Sequence, residues 1–475
     1  MVKQRCKNKT RRPEFSLPSL KSSGPEKKVG VHFFPCFSRC FFSLPILEGL
    51  GKERAAELGS NFFEVWGEAE MKNVPADMEG FLSHQPWWRT GIPTEIIRSR
   101  EGVGELLHRL EREKKNPFFV VDSVLRDQSV FSPLLGQKAL YLFDASASEP
   151  KTGDVDTVVS ILKSGSKAYD VVVGIGGGGT MDLAKAVGIC LANPGPAHAY
   201  QGYGLDMNKG ADIWVLPTLS GTGAEITPIA VLRGPEKKLG INNPYTAPSV
   251  AVIDPGLTSG VRKYNRFYTL MDCYFHHYEI MKSVTSSGDA VSDALDGLGL
   301  SRDVLNSGVG EFRLDNAVRS AMASVLGGSS TIGGRVGAAH AVSYGLSNSA
   351  PNLPHSVAVT LAMLSLGDLY PDGCEDTVSF LRINGMETPK ARDFGIGAEE
   401  VEKMTKTALG MQKLWQSCFG ESWKDRATEE YIRGIYERIV SRLGMVFLKK
   451  TTGGKTDGRN GNFRKRRTGG SSGCH

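Results

Sequence analysis

Apolar and polar positions follow two different rhythms along this chain. From Ile92 to about residue 260, short apolar runs bounded by turn residues alternate with stretches of helical spacing. Val171, Val172 and Val173 form a β-branched run suited to a strand buried on both faces. Pro117–Asp122, Ala139–Asp144, Ile213–Pro217 and Pro248–Asp254 read as further strands. Gly102–Leu110, Val155–Ser164 and the segment from Met181 onward read as helices between them. Such alternation implies a parallel sheet covered by helices on both faces. After Pro255 no strand pattern remains, and Arg262–Leu448 reads as helix after helix with glycine-rich interruptions.

The turn after the valine run carries the first chemical signal. Gly176–Gly179 leave a strand and enter a helix, so unpaired N–H groups and a positive dipole end face one point, as an anion such as a phosphate requires. Gly174-x-Gly176-x-x-Gly179 meets the dinucleotide fingerprint only because nearly every position there is glycine, and Gly179-Thr180-Met181 lacks the lysine of a Walker loop. A tight structural connection is the plain alternative. Asp122 closes its strand where a carboxylate can accept from ribose hydroxyls, or simply cap the next turn. Thr218-Leu-Ser-Gly-Thr-Gly-Ala-Glu225 is a second glycine and hydroxyl turn facing a possible anion. The expected organisation is an N-terminal extension over 1–90, a Rossmann-like α/β dinucleotide-binding domain over 91–260, a helical metal-binding domain over 261–448, and a disordered basic tail over 449–475.

Composition narrows the class. Of 475 residues, 40% are hydrophobic and 23% charged, as in an ordinary globular protein. The net charge of +6 gathers in Met1–Arg12 and Arg459–Arg467, which argues against a nucleic-acid surface on the folded body. Eight cysteines stand without disulfide or metal-type spacing, so a reducing compartment is expected. No apolar run reaches the roughly 18 residues that span a bilayer. The basic, serine-rich and acid-poor start fits a transit segment as well as a misassembled gene start. The expected location is therefore the cytoplasm, or an organelle stroma or matrix.

In the helical half, Met271-Asp-Cys-Tyr-Phe-His-His-Tyr-Glu279 places Asp272 and His276 four apart, on one helix face, where both can grip one ion. His340 and His355 also stand near apolar helical sequence. One carboxylate and three imidazoles suit Fe²⁺ or Zn²⁺ rather than Mg²⁺ or Ca²⁺. His277 is a candidate general base, with helix packing or solvent exposure as the plainer alternative.

Three segments, in order and spacing, resemble motifs of the iron-containing (type III) alcohol dehydrogenases, the superfamily that also holds glycerol dehydrogenase and dehydroquinate synthase. They are Gly176–Lys185, Pro217–Glu225 and Met271–His276, and the resemblance covers Ile92 to Leu443. Tyr200-Gln-Gly202, Lys238-Leu-Gly240, Phe267–Tyr274 and His340–Leu346 resemble the 3-deoxy-D-manno-octulosonate 8-oxidase branch, which oxidises the terminal hydroxyl of an eight-carbon sugar acid. The resemblance implies the dehydroquinate synthase-like fold and four metal ligands, Asp272, His276, His340 and His355. It implies Gly176, Gly177 and Gly178 on the pyrophosphate, Asp182 and Lys185 beside them, and Thr218, Thr222 and Lys238 lining the rest of the cofactor groove. Asp122 would favour NAD over NADP. The chain departs from the family pattern at Gly179, at Ser356 and in the proline-containing stretch between His340 and His355, and Tyr344 stands where many members carry another histidine. The implied protein is a metal-dependent, NAD(P)-linked alcohol dehydrogenase, a homo-oligomer such as a dimer, acting on a small alcohol or sugar acid. A cyclase or lyase using NAD transiently, and a degraded nucleotide-binding relative, are the alternatives.

Overall fold

The computed structural model describes residues 77–83, 86–146 and 148–441. The expectations for the first 76 residues, for the basic runs and for the tail from 449 lie outside the described residues.

Six strands form one sheet in the order β1-β9-β6-β4-β2-β3, every neighbouring pair parallel. They are β1 (Glu95–Arg98), β2 (Pro117–Asp122), β3 (Leu140–Phe143), β4 (Val171–Gly176), β6 (Asp212–Pro217) and β9 (Val250–Ile253). The apolar runs read from sequence fall on β2, β3, β4, β6 and β9. Phe118 and Val120 point to one face of β2, Phe119 and Val121 to the other, and each pair joins a separate apolar core. Helix α1 (Gly102–Arg112) buries Val103, Leu106 and Leu110 against one face. Helices α2 (Thr152–Ser164) and α3 (Gly178–Cys190) cover the other. Both faces are dry, which is why these strands are continuous apolar runs rather than alternating ones.

A second sheet was not anticipated. Strands β5 (Gly202–Tyr203), β7 (Ile229–Arg233) and β8 (Lys238–Asn242) order as β5-β8-β7, with β7 and β8 antiparallel. The glycine turn also corrects the expected helix start. α3 begins at Gly178 rather than Met181, with Gly177 as an uncapped N-cap, so two of the four glycines belong to the helix.

After Ile253 and as far as Ser441 the described residues form helices and no further strand, as expected. The helices include α4 (Lys263–Met281), α5 (Gly288–Ser307), α6 (Leu314–Gly333), α7 (Ala338–Ser349) and α8 (His355–Leu364), followed by α9 (Pro371–Ile383), α10 (Val401–Leu409), α11 (Gln412–Phe419) and α12 (Glu429–Ser441). None of the described helices is long and apolar enough to cross a membrane. Packing begins before the periodicity becomes regular. Phe81 and Trp87 are buried in the helical core, and the N–H groups of Arg89 and Thr90 donate to the fully buried Asp293 of α5.

Candidate metal centre and nucleotide turn

Asp122, Gly176 and Thr218 stand at or just past the carboxyl ends of the adjacent strands β2, β4 and β6, where open α/β sheets bind ligands. Gly177, Gly178 and Gly179 are half-buried, and no side chain caps the N–H groups that open α3. Those uncapped donors stand where the sequence leads one to expect an anion. A Cβ on Gly178 would lie 2.8 Å from Thr222 Oγ1, so the loop after β6 can close on this turn only where a side chain is missing. Thr218 donates its N–H to the Gly176 carbonyl at 3.0 Å and fixes the two loops together.

The Thr218–Glu225 turn itself is not an open anion cradle. Gly221 and Gly223 donate their N–H groups to Ser324 Oγ of α6 at 2.9 and 3.3 Å. Gly223 has φ +66, and a Cβ there would meet the Gly328 backbone at 2.4 Å. Its glycines let the sheet part approach α6 closely.

Other residues assigned to the groove are engaged elsewhere. Asp122 accepts from Val124 N–H at 3.2 Å and caps a short helical turn, the plain alternative, while burial pushes its carboxyl above the ordinary range. Lys185 is fully buried, and its three donors reach Asp182 Oδ1, Thr227 Oγ1 and the Ile229 carbonyl at 3.2, 3.3 and 2.9 Å. Asp182 Oδ2 accepts from Val231 N–H at 3.0 Å. This pair pins β7 to α3. Lys238 Nζ lies 2.5 Å from Glu149 Oε1, and Arg233 Nη2 lies 3.1 Å from Glu149 Oε2.

Asp272, His276 and His340 come together. Each offers a ligand atom, and the three atoms lie within 4.8 Å of one another. The face shared by residues four apart on α4 supplies the first two, and the first turn of α7 supplies the third. Asp272 Oδ1, His276 Nδ1 and His340 Nε2 are buried without a hydrogen-bond partner. Unpartnered buried polar atoms are costly, and Asp272 Oδ1 and His340 Nε2, 3.6 Å apart with His276 beside them, fit a cation that satisfies them together. His355, first residue of α8, brings Nε2 to 4.0 Å from Asp272 Oδ1, and its ring centroid lies 5.7 Å from that of His340. The structure thus gathers all four residues, His355 the most loosely.

The protonation states suit a soft or borderline ion. Burial alone would raise Asp272, but His355, His276 and His340 around it hold it well below the usual carboxylate range. Burial lowers His276 to about 4, and burial with the nearby Lys238 also lowers His355. Both are therefore neutral at pH 7. For His340, burial is outweighed by the Asp272 and Glu279 carboxylates, which raise it to about 9 without a metal.

Glu279 is the residue that sequence reading missed. Its Oε2 lies 2.5 Å from His340 Nδ1, and its Oε1 accepts from Ala339 N–H at 2.7 Å. A carboxylate on Nδ1 keeps the proton there and leaves the Nε2 lone pair free for a metal. The signal was available: Asp272, His276 and Glu279 stand at i, i+4 and i+7 on one helix. His277, in contrast, turns away. Its Nε2 lies 3.1 Å from the Ala323 carbonyl, and a Cβ on Gly297 would collide with its ring. Helix packing, the plainer alternative, accounts for it.

The two centres are linked by one loop. Pro150 covers Gly179, with a Cβ there 3.2 Å from Pro150 Cδ. The adjacent Glu149 is close enough to His355 for each to bias the other's charge. Tyr344 of α7 packs its ring 6.4 Å from His355, and burial keeps its phenol protonated.

Residues 93–255 match the family model for iron-containing alcohol dehydrogenase. The chain is 30% identical over 209 residues to a sulfoacetaldehyde reductase of Bilophila wadsworthia, covering 42% of this chain and 53% of that protein. It is 29% identical over 291 residues to an NAD-dependent methanol dehydrogenase of Bacillus methanolicus, covering 57% and 75%. The match spans only 53% and 56% of the sulfoacetaldehyde reductase and of a long-chain-alcohol dehydrogenase of Geobacillus thermodenitrificans, about half of each. The fold is shared with the crystal structure of a sulfoacetaldehyde reductase from Bifidobacterium kashiwanohense in complex with NAD⁺, at TM-score 0.63 and 22% identity over 75% of this chain and 100% of that one. A 1,3-propanediol oxidoreductase gives TM-score 0.64 at 20% identity, over 74% and 100%.

Proposed function

We propose that this chain, whose residues 93–255 match the iron-containing alcohol dehydrogenase model, is a metal-dependent, NAD-linked dehydrogenase of a primary alcohol in that family. One observation carries the reading: Asp272, His276 and His340 bring one ligand atom each within 4.8 Å of the others, and Asp272 Oδ1 and His340 Nε2, 3.6 Å apart, are buried without a hydrogen-bond partner. We assign Asp272, His276, His340 and His355 as ligands of Fe²⁺ or Zn²⁺, and the N-terminus of α3, with Gly176–Gly178, Thr218 and Thr222, to the nucleotide.

When bound, the divalent ion would acidify a substrate hydroxyl and the nicotinamide would accept the hydride. The chain's own residues prepare that event. Asp272 supplies the ionised ligand, and His276 and His355 supply neutral ones. Glu279 fixes the tautomer of His340. The uncapped N–H groups of α3 hold the pyrophosphate, and Pro150 closes over them. Tyr344 keeps its proton and can donate it in a hydrogen bond to a substrate oxygen beside His355. Lys238 and Arg233, which share the carboxylate of Glu149, join the sheet part to α7, since Arg233 donates to the Ser347 carbonyl at 2.9 Å and Lys238 N–H to Asn348 Oδ1 at 2.7 Å.

For the substrate we propose a sugar acid such as 3-deoxy-D-manno-octulosonate, oxidised at its terminal hydroxyl, on the branch resemblance of Tyr200–Gly202, Lys238–Gly240 and His340–Leu346. The test is metal content by mass spectrometry on the full chain, together with NAD and NADP reduction on primary alcohols and on that acid. About one Fe or Zn per chain, lost in His276→Ala, is expected. A wild-type protein that takes up no metal after reconstitution would refute the centre, and the nucleotide-binding reading would replace it.

A further inference from the structure

Tyr203, on the edge strand β5, is 47% exposed and meets two cations from the helical part. Lys413 of α11 places Nζ 4.1 Å from its ring centroid, and Arg335, in the segment joining α6 to α7, places its guanidinium carbon at 5.5 Å. Arg335 Nη1 also donates to the Tyr203 hydroxyl at 3.4 Å. The Arg335 backbone is held on both sides: its carbonyl accepts from Ser417 Oγ at 2.6 Å, and its N–H donates to Ser286 Oγ at 3.4 Å. The guanidinium is therefore presented from a fixed base.

The charge balance around the cleft separates these cations from the others. Lys238 and Arg233 share Glu149. Arg335 and Lys413 form no ion pair with a carboxylate among the described residues. Cations held over an aromatic face, half in water, retain their capacity for an anion at small desolvation cost. A planar guanidinium suits a carboxylate in particular, because two parallel N–H groups match its two oxygens. The position connects to the metal centre through the chain itself, because the segment that carries Arg335 runs directly into α7, whose first turn holds His340.

We propose that Arg335, Lys413 and Tyr203 form a rim subsite that receives the carboxylate of a hydroxy-acid substrate whose far hydroxyl is oxidised at the metal centre. Arg335 stands five positions before the ligand His340 and outside its helix, so acid and reacting hydroxyl belong at opposite ends of a multi-carbon chain. The inference rests on the dehydrogenase reading for the reaction but not for the binding.

Equilibrium binding separates the two. Calorimetry on the metal-loaded full chain compares 3-deoxy-D-manno-octulosonate with its methyl ester, which has the same hydroxyls and no charge. The acid is expected to bind about ten-fold more tightly, with the advantage shrinking as salt rises. In Arg335→Gln, and separately in the surface variant Lys413→Gln, the acid-to-ester ratio should fall several-fold, toward about one in the double variant. A wild-type ratio near one, binding of neither compound, or a ratio unmoved by both substitutions overturns the subsite. Absence of NAD or NADP reduction with every alcohol would fail the dehydrogenase reading alone, because the acid-to-ester comparison needs no turnover.

Discussion

Replacing Glu279 by glutamine keeps the shape of the side chain and changes one thing that matters, the number of acceptors. In the wild type Oε1 accepts from Ala339 N–H and Oε2 faces both His340 Nδ1 and His340 N–H, so both oxygens are engaged. A glutamine has one oxygen. If its NH₂ faces the backbone, two donors confront each other in a buried site. If it faces His340, the imidazole must turn its lone pair to Nδ1 and carry the proton on Nε2, the atom directed at Asp272 from 3.6 Å. Either arrangement removes a metal ligand or strains it. Loss of such an outer carboxylate costs about 10–100-fold in metal affinity, or about 1.4–2.7 kcal/mol. The assay is a competition titration of Zn²⁺ against a chromophoric chelator, wild type beside Glu279→Gln and Glu279→Asp, with urea denaturation of the metal-free proteins alongside. A purely structural Glu279 would lower the urea midpoint while leaving the zinc Kd unchanged. That outcome would refute the tautomer argument, since the argument requires the Kd to move.

Other expectations follow from the same geometry. His340 titrates near 9 in the metal-free protein, so it must lose a proton on coordination. Metal affinity should rise about tenfold per pH unit from 7 toward 9 and then level off. A flat profile over that range, by chelator competition in matched buffers, would remove His340 from the ligand set. The sign for stability is opposite. The raised pKa stabilises the metal-free fold fully below its unfolded value, and that contribution fades as pH climbs through about 9. Lys185→Met leaves the buried Asp182 without its cation and should cost about 3–5 kcal/mol in urea denaturation; a loss below about 1 kcal/mol would show that the pair does not pin β7. Gly178→Ala drives a methyl onto Thr222 and should weaken NAD binding by at least about tenfold. Adding Thr222→Ala should restore stability, and additive rather than coupled effects would contradict that contact.

The strands that could be read from sequence are those buried on both faces. Val171–Ile175 and Phe118–Val121 are apolar at nearly every position because cores lie above and below them. β1 is a four-residue edge strand with one exposed and three half-buried positions, so no period reveals it. β7 and β8 pair through Lys238 and Gly240, residues with low strand propensity, and the antiparallel register rather than composition makes them a sheet. The helix start at Gly178 escaped for a related reason. Glycine disfavours a helix interior by itself, and only the approach of Thr222 to Gly178 and of Pro150 to Gly179 explains why two of them begin α3.

The same distinction runs through the site. Asp272 and His276 lie within one helical turn, and periodicity can place them on one face. His340 and His355 entered only as histidines near apolar helical sequence and as ligands that the resemblance implies, and the fold then carried them to Asp272. The supporting groups depend on partners that no local period reaches: Glu279 and His340 are 61 positions apart, Glu149 and Lys238 are 89 apart, and Tyr203 and Arg335 are 132 apart. Lys185 shows the cost of ignoring this. Its place in a glycine-turn motif implies a position beside the cofactor, yet every donor it has is directed inward to Asp182, Thr227 and Ile229. A charge near a nucleotide turn in sequence is evidence of function only if its hydrogen bonds are still open in the fold. By that criterion Arg335 and Lys413, which no motif marks, are better candidates for an anionic ligand than Lys185, which a motif does.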